Sequence, residues 1–327
     1  ALVFSLGVLT FGTMWGMSGW FGLRGRERLI CTSFYLLVPS FSTNLLTWGQ
    51  IGSTFGMAFA PCVLFPLLVL ILENEISMKR MWSATIWLAF GMTMLICSHL
   101  VSSCLLILFA LALCLFRVFF LIKHWKRILC LALAAILTVL VTAGYWMPFL
   151  EQQAMTDLVG FSADTSTFWK TLAIRPIGLF FSYTICNTML VPMLGSWATL
   201  PPAMVECWGW ILVPLAIAIW RDRLLQKTWH ARLWVKVSVV TLVFTSIFFS
   251  SHTLLVWTAP FLSWMQFPMR LYIICLPLLS LLVAAWLTRH ASEGMRRIFA
   301  VGVAIALVCA LTNPFGRYAL AWIGERK

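Results

Sequence analysis

The sequence predicts an all-α fold, a polytopic transmembrane helical bundle of about ten spans. Three observations carry that reading. Of 327 residues, 62% are hydrophobic and only 10% are charged, whereas a soluble domain carries roughly a quarter charged residues. The apolar residues fall in long continuous runs and do not alternate at period two, which selects helices over a closed barrel. The Lys and Arg residues punctuate those runs instead of forming one block. A chain this apolar takes lipid as its solvent, and within lipid every backbone N–H and C=O is paired inside the chain.

The elements follow in order. A first span near 1–22 is followed by Arg24, Arg26 and Arg28, and a second near 29–46 leads into the uncharged polar segment Ser40 to Ser53. A third span near 55–73 ends at Glu73, Glu75, Lys79 and Arg80. Residues 82–122 are apolar over twice the length of one crossing. They are predicted to turn at Ser98-His99, giving spans near 82–98 and 101–122. Lys123, His124, Lys126 and Arg127 come next, then a span near 128–148 ending at Trp146 and Pro148. Residues 149–205 mix Glu151, Asp157, Asp164, Lys170 and Arg175 with aromatics and prolines, and read as an extracytoplasmic or interfacial region. Spans near 206–220, 235–251, 269–288 and 298–314 complete the chain. Ala1 lies inside an apolar run with no charged segment before it, so a true N-terminus upstream of Ala1 is expected.

Orientation follows from counting. With the spans alternating, 17 of the 23 basic residues fall on one side, while the ten acids divide five and five. Lys/Arg bias sets topology and acids contribute little, so the side with 17 is predicted to be cytoplasmic. The same punctuating pattern argues against nucleic acid as a partner for a chain of net charge +13. Most of the ten cysteines lie within apolar runs and read as small hydrophobes. Cys186 and Cys207 alone fall in the predicted outer region, and nothing in their spacing requires a disulfide.

The predicted outer side gathers Asn44, Gln50, His99, Glu151, Asp157, Asp164, His252, Gln266 and Arg270. Ionisable groups near membrane depth are costly and are functional candidates by default. His99 reads either as part of a polar hairpin tip or as a histidine facing a cavity, able to bind phosphate or move a proton. Glu151, after Trp146-Met147-Pro148, reads either as a solvated acid beside an interfacial anchor or as a carboxylate at a lipid-facing site. In Gln266-Phe267-Pro268-Met269-Arg270, proline suits a first helical turn. Arg270 then stands against both the helix dipole and the positive-inside bias, which calls for an anionic partner; the alternative is snorkelling to the headgroups. The sequence holds no Walker A, G-x-G-x-x-G, H-E-x-x-H or G-x-S-x-G motif.

These strings, in their order, resemble a bacterial family of large membrane proteins, labelled 6-pyruvoyl-tetrahydropterin-synthase-related and close to the YfhO-like proteins, within the GT-C class of membrane glycosyltransferases. The resemblance is carried by Phe34-Tyr35-Leu36-Leu37-Val38-Pro39, Ala58-Phe59-Ala60-Pro61, Ser98-His99, Trp146-Met147-Pro148-Phe149-Leu150-Glu151 and Gln266 to Arg270. It departs from the family at Trp48 and Ser53, where an arginine and a glutamate are usual, and at Met269, where tryptophan is usual. GT-C enzymes carry a catalytic acid in a first outer loop, which here would precede Ala1. The resemblance implies a transferase in the bacterial cytoplasmic membrane that moves a sugar from a polyprenyl-phosphate donor to an acceptor on the outer face. Glu151 and His99 would be catalytic, with Glu151 as base and His99 beside the phosphate. Arg270, Gln266, Asn44 and Gln50 would hold substrate and phosphate. A divalent metal, magnesium or manganese, would assist. Two other classes stand beside it, a transporter or flippase for a lipid-linked saccharide and a non-catalytic membrane scaffold.

Overall fold

The computed structural model describes residues 2–37, 51–153, 233–250, 271–289 and 291–305, with single positions 258 and 308. The described elements are helical, with no strand among them. They are α1 (Leu2–Ser18), a 3-10 turn (Gly19–Phe21), α2 (Gly25–Leu37), α3 (Ile51–Leu72), α4 (Met78–Ser98), α5 (Leu100–Phe116), α6 (Val118–Lys123), α7 (Trp125–Gln153), α8 (Leu233–Ser250) and α9 (Tyr272–Arg289). A further helix, α10, covers 293–305. Three of these, α3, α4 and α7, are long and apolar enough to cross a membrane. The span predicted near 206–220, and the region 149–205 beyond Gln153, lie outside the described residues.

Local chemistry sets the boundaries. The first helix stops at a 3-10 turn closed by Gly22, whose φ of 75° favours glycine and whose N–H donates to Gly19 O at 3.1 Å. Ser77 caps α4 by accepting from the Arg80 N–H at 3.3 Å. The stretch expected as one span near 101–122 is divided at Arg117, between α5 and α6. The Arg117 guanidinium reaches Asn74 Oδ1 at 2.9 Å and lies 4.0 Å from the Phe120 ring centroid. A charged side chain with partners there takes the place of a continuous apolar helix.

Side-chain contacts set the direction of each helix. Thr13 Oγ1 donates to Ala58 O at 2.6 Å and Phe21 packs edge-on against Phe65, so α1 and α3 run parallel. Tyr35 meets Met57, so α2 runs back. Thr138 Oγ1 meets Ala89 O at 3.3 Å, and Arg127 meets the end of α3, so α7 lies parallel to α4. Gly52 faces Ser98 while Arg117 meets Asn74, so α5 reverses at His99 and runs with α3. Thr288 Oγ1 meets Glu27 Oε1 at 3.2 Å and Ile273 lies beside Gly56, which aligns α9 with α3. The Cys275–Thr245 contact at 3.2 Å, with Leu233 at the start of α8 lining a cavity beside Glu73 and Arg80, places α8 antiparallel to α9. One end of the bundle therefore collects Arg24, Arg26, Arg28, Lys79, Arg80, Arg117, Lys123, Lys126 and Arg127. The other collects Ser98 and His99 with the first turns of α3 and α9.

The core centres on α3: 94% of its apolar window is buried in the bundle, against 39% for α4 and 22% for α7. Two prolines stand inside this central helix, Pro61 and Pro66. Pro61 has no N–H to give to Met57 O, four residues back. Tyr35 supplies the missing donor, its fully buried hydroxyl meeting Met57 O at 2.7 Å. The Thr13 hydroxyl serves the next carbonyl, that of Ala58. Neighbouring helices thus satisfy the backbone that proline disturbs, as a lipid environment requires.

Candidate functional site

His99 stands between α4 and α5 in extended backbone, φ −158° and ψ 90°. Its own N–H closes α4 by donating to Leu95 O at 2.7 Å. Its ring opens α5: Nδ1 accepts from the Ser102 N–H at 3.2 Å and lies 2.8 Å from the Ser102 hydroxyl. An Nδ1 that accepts a backbone N–H places the proton of the neutral ring on Nε2, so Nε2 is the donor of the ring while Nδ1 holds the helix. The corner packs tightly. A Cβ on Gly52 would lie 2.7 Å from Ser98 O, and one on Gly56 would lie 3.5 Å from His99 Cβ and 3.6 Å from Ile273 Cδ1. These contacts bring Ser98-His99 against the first turn of α9, which the string Gln266 to Arg270 immediately precedes in the chain.

The cap separates two roles for His99. His99→Ala removes ring and cap together and is expected to cost about 1 kcal/mol of stability. His99→Asn keeps an oxygen that caps well and removes the imidazole. If the ring serves only the fold, thermal unfolding of detergent-purified protein shows Asn near wild type and activity is kept; if the ring meets substrate, Asn is stable and inactive.

Glu151 lies in the last turn of α7, and its side chain is exposed. The Thr138–Ala89 contact fixes the register between α7 and α4. Moving nine residues along each parallel helix brings Met147 level with Ser98, so Glu151 lies one turn beyond the His99 corner, at the same end of the bundle. Asn44, Gln50, Gln266 and Arg270 lie outside the described residues, as do Asp157, Asp164, His252, Cys186 and Cys207. Among the described residues no three His, Cys, Asp or Glu side chains converge as a metal would need, so Glu151 and His99 do not by themselves form a ligand set.

The opposite end holds an arrangement whose residues read, in sequence, only as a topology signal. Arg127, 3% exposed, is the one charged residue fully buried among those described. Its guanidinium spans the end of α3, with Nη1 on Leu70 O at 3.1 Å and on Glu73 O, and Nη2 on Asn74 O at 2.9 Å. Leu70 O is a carbonyl that the C-terminus of α3 leaves without a partner, and Glu73 O and Asn74 O belong to the connection just beyond it. Arg80 pairs with Glu73 Oε1 at 2.8 Å and donates to Trp20 O. Two cavities flank the 73–77 connection. One of about 800 Å³ is lined by Trp20, Glu73, Glu75, Lys79, Arg80 and Leu233 among others. One of about 420 Å³ lies between that connection and the α6–α7 corner. Arg117, a single arginine inside a long apolar run, is the feature of the sequence that points to this cluster.

No family model, curated protein or solved structure shows a match to this chain.

Proposed function

We propose that this chain is a multi-pass protein of the bacterial cytoplasmic membrane, with its cation-bearing end inside, and that its opposite end handles a polyprenyl-phosphate sugar as a GT-C glycosyltransferase. One observation supports this reading above the others. The packing of Gly56 against both His99 and Ile273 brings the Ser98-His99 corner beside the start of α9, at the end away from the cations. A lipid-linked donor carries its phosphate at headgroup level, and Arg270 stands two residues before Tyr272. In this reading Glu151 takes the proton of the acceptor hydroxyl as its oxygen attacks the sugar's anomeric carbon. The bond from that carbon to the phosphate oxygen breaks, and polyprenyl phosphate leaves with Arg270 and the His99 Nε2–H steadying its charge. Gln266, Asn44 and Gln50 would hold the sugar and the phosphate.

Transport would favour helices broken at mid-depth. Despite Pro61, Pro66 and Pro277, α3 and α9 each run unbroken, which is why transfer is preferred.

Membrane vesicles given radiolabelled polyprenyl-phosphate sugars test the reading. Wild-type protein is expected to transfer label to an acceptor, and Arg270→Ala to lower transfer roughly hundredfold at normal expression, the scale of losing one transition-state contact. Unchanged transfer in Arg270→Ala removes that residue from the site. Donor moved between leaflets without transfer replaces the enzyme with a flippase, and neither activity leaves the scaffold. A cysteine introduced within 157–168 is expected to label from outside in intact cells; labelling only after lysis inverts the orientation.

A further inference from the structure

The smaller cavity at the cation end has the chemistry of a phosphate site open to the membrane. Its cationic wall is Lys123 and Lys126, with the half-buried His124 between them, against one acid, Glu75, among the described lining residues. Arg127 also lines it, but its guanidinium is committed to the carbonyls of the α3 terminus and adds charge more than contacts. The first turns of α4 and α7 both border the cavity, and their partial positive charge is offset in part by the C-terminus of the short α6 at Lys123. Free inorganic phosphate needs no more than that.

The apolar features point to a lipid. Trp125, 58% exposed, and Met78, 50% exposed, form part of the lining. Tryptophan favours the level where headgroups meet acyl chains. From Met78 an apolar track leads away from the cations along one face of α4, through Trp82 at 48% and Ile86 at 63% exposed, each one turn after the last. A charged mouth continued by an exposed apolar stripe matches an amphiphile carrying an anionic head and a hydrocarbon tail.

We propose that the cavity between the 73–77 connection and the α6–α7 corner binds the phosphate headgroup of an anionic phospholipid, whose acyl chain lies along Met78, Trp82 and Ile86. The inference rests on the membrane reading above but not on sugar transfer, since it concerns the opposite end of the bundle. The basic residues of this end attract anionic lipid collectively in any case; the proposal is that one lipid is held here.

The full chain, purified in a neutral detergent, is titrated with phosphatidylglycerol, phosphatidylcholine or inorganic phosphate, and bound lipid is read by native mass spectrometry. One phosphatidylglycerol is expected to be retained in preference to phosphatidylcholine and not displaced by inorganic phosphate. Lys123→Gln with Lys126→Gln is expected to weaken it roughly thirtyfold, about fivefold for each near-surface cation lost. Trp82→Ala is expected to weaken it as well. Arg24→Gln with Arg26→Gln, the same loss of charge elsewhere on this end, is expected to change it less than about twofold. Equal weakening by both pairs, equally tight phosphatidylcholine, or displacement by phosphate would each overturn the site. Both lysines are exposed, so the fold is expected to survive; should the variant aggregate, the comparison of lipids on wild type decides. Failure of the membrane reading itself shows separately, as release of wild type from membranes by alkaline carbonate.

Discussion

Arg127→Ala is expected to lower stability by about 4 kcal/mol. Each hydrogen bond to a charged group contributes about 1.5–3 kcal/mol, and a buried acceptor left bare costs about 1–3 kcal/mol. The guanidinium serves Leu70, Glu73 and Asn74 together. Without it the buried Leu70 carbonyl keeps no charged donor, and the part-buried contacts to Glu73 O and Asn74 O beside it are lost as well. Arg127→Lys retains the charge, but one ammonium lacks the planar fork that meets carbonyls on both arms, so it is expected to recover less than half of the loss. Thermal unfolding in detergent, followed by loss of monodisperse protein, measures both. An Arg127→Ala protein as stable as wild type would mean that the carbonyls find water and that the guanidinium is not their cap.

Gly91→Val is expected to cost about 3 kcal/mol, because α3 and α4 touch through backbone there. A Cβ at Gly91 would lie 2.8 Å from Cys62 C and 2.9 Å from both Cys62 Cβ and Cys62 O. Helix propensity works the other way, since replacing an interior glycine by alanine is ordinarily worth about 1 kcal/mol. Gly91→Ala therefore sets the two effects in direct opposition. At 2.8 Å from a main-chain atom the clash wins, and even alanine is expected to destabilise. Gly144, with nothing within 4 Å of its would-be Cβ, is the control: Gly144→Ala is expected to be neutral or stabilising. If both alanine variants unfold alike, the close approach of α3 to α4 is wrong.

What sequence and structure each reveal turns on what lipid hides. Long apolar runs and the Ser98-His99 interruption are enough to read helices and a reversal, because hydrocarbon length and a polar break are properties of the chain itself. Which helix sits at the centre is not readable from hydrophobicity, since α3 and α7 have mean hydropathies of 2.5 and 2.4 but buried shares of 94% and 22%. Lipid tails are as apolar as a protein interior, so hydrophobicity does not separate a buried helix from a lipid-facing one. Small residues do not separate them either: α3 carries Gly52, Ser53, Gly56, Ala58 and Ala60, and α7 carries Ala132, Ala134, Ala135, Ala143 and Gly144.

The same limit applies to the sites. His99 is visible in the sequence as a corner, but its role as cap depends on where Ser102 falls once α5 begins. Arg127 stands in a basic run whose members look alike in sequence, and only the docking of α7 against the end of α3 singles it out. Glu151 follows Pro148 at the predicted outer end, and the α4–α7 register puts it at the same end as His99. Asn44, Gln50, Gln266 and Arg270 stand out by polarity or by charge set against the bias of their surroundings, a criterion that names residues but not their neighbours.

The hydroxyls that mend the backbone around Pro61 also imply an order of assembly. Thr13 and Tyr35 precede Met57 and Ala58 in the chain. Donors borne by α1 and α2 are therefore made before the acceptors they serve. In a membrane-inserted chain, the proline-disturbed turn of α3 would meet waiting partners and need not rest bare against hydrocarbon. A circular permutant that began at α3 would reverse that sequence of events, delivering the acceptor first.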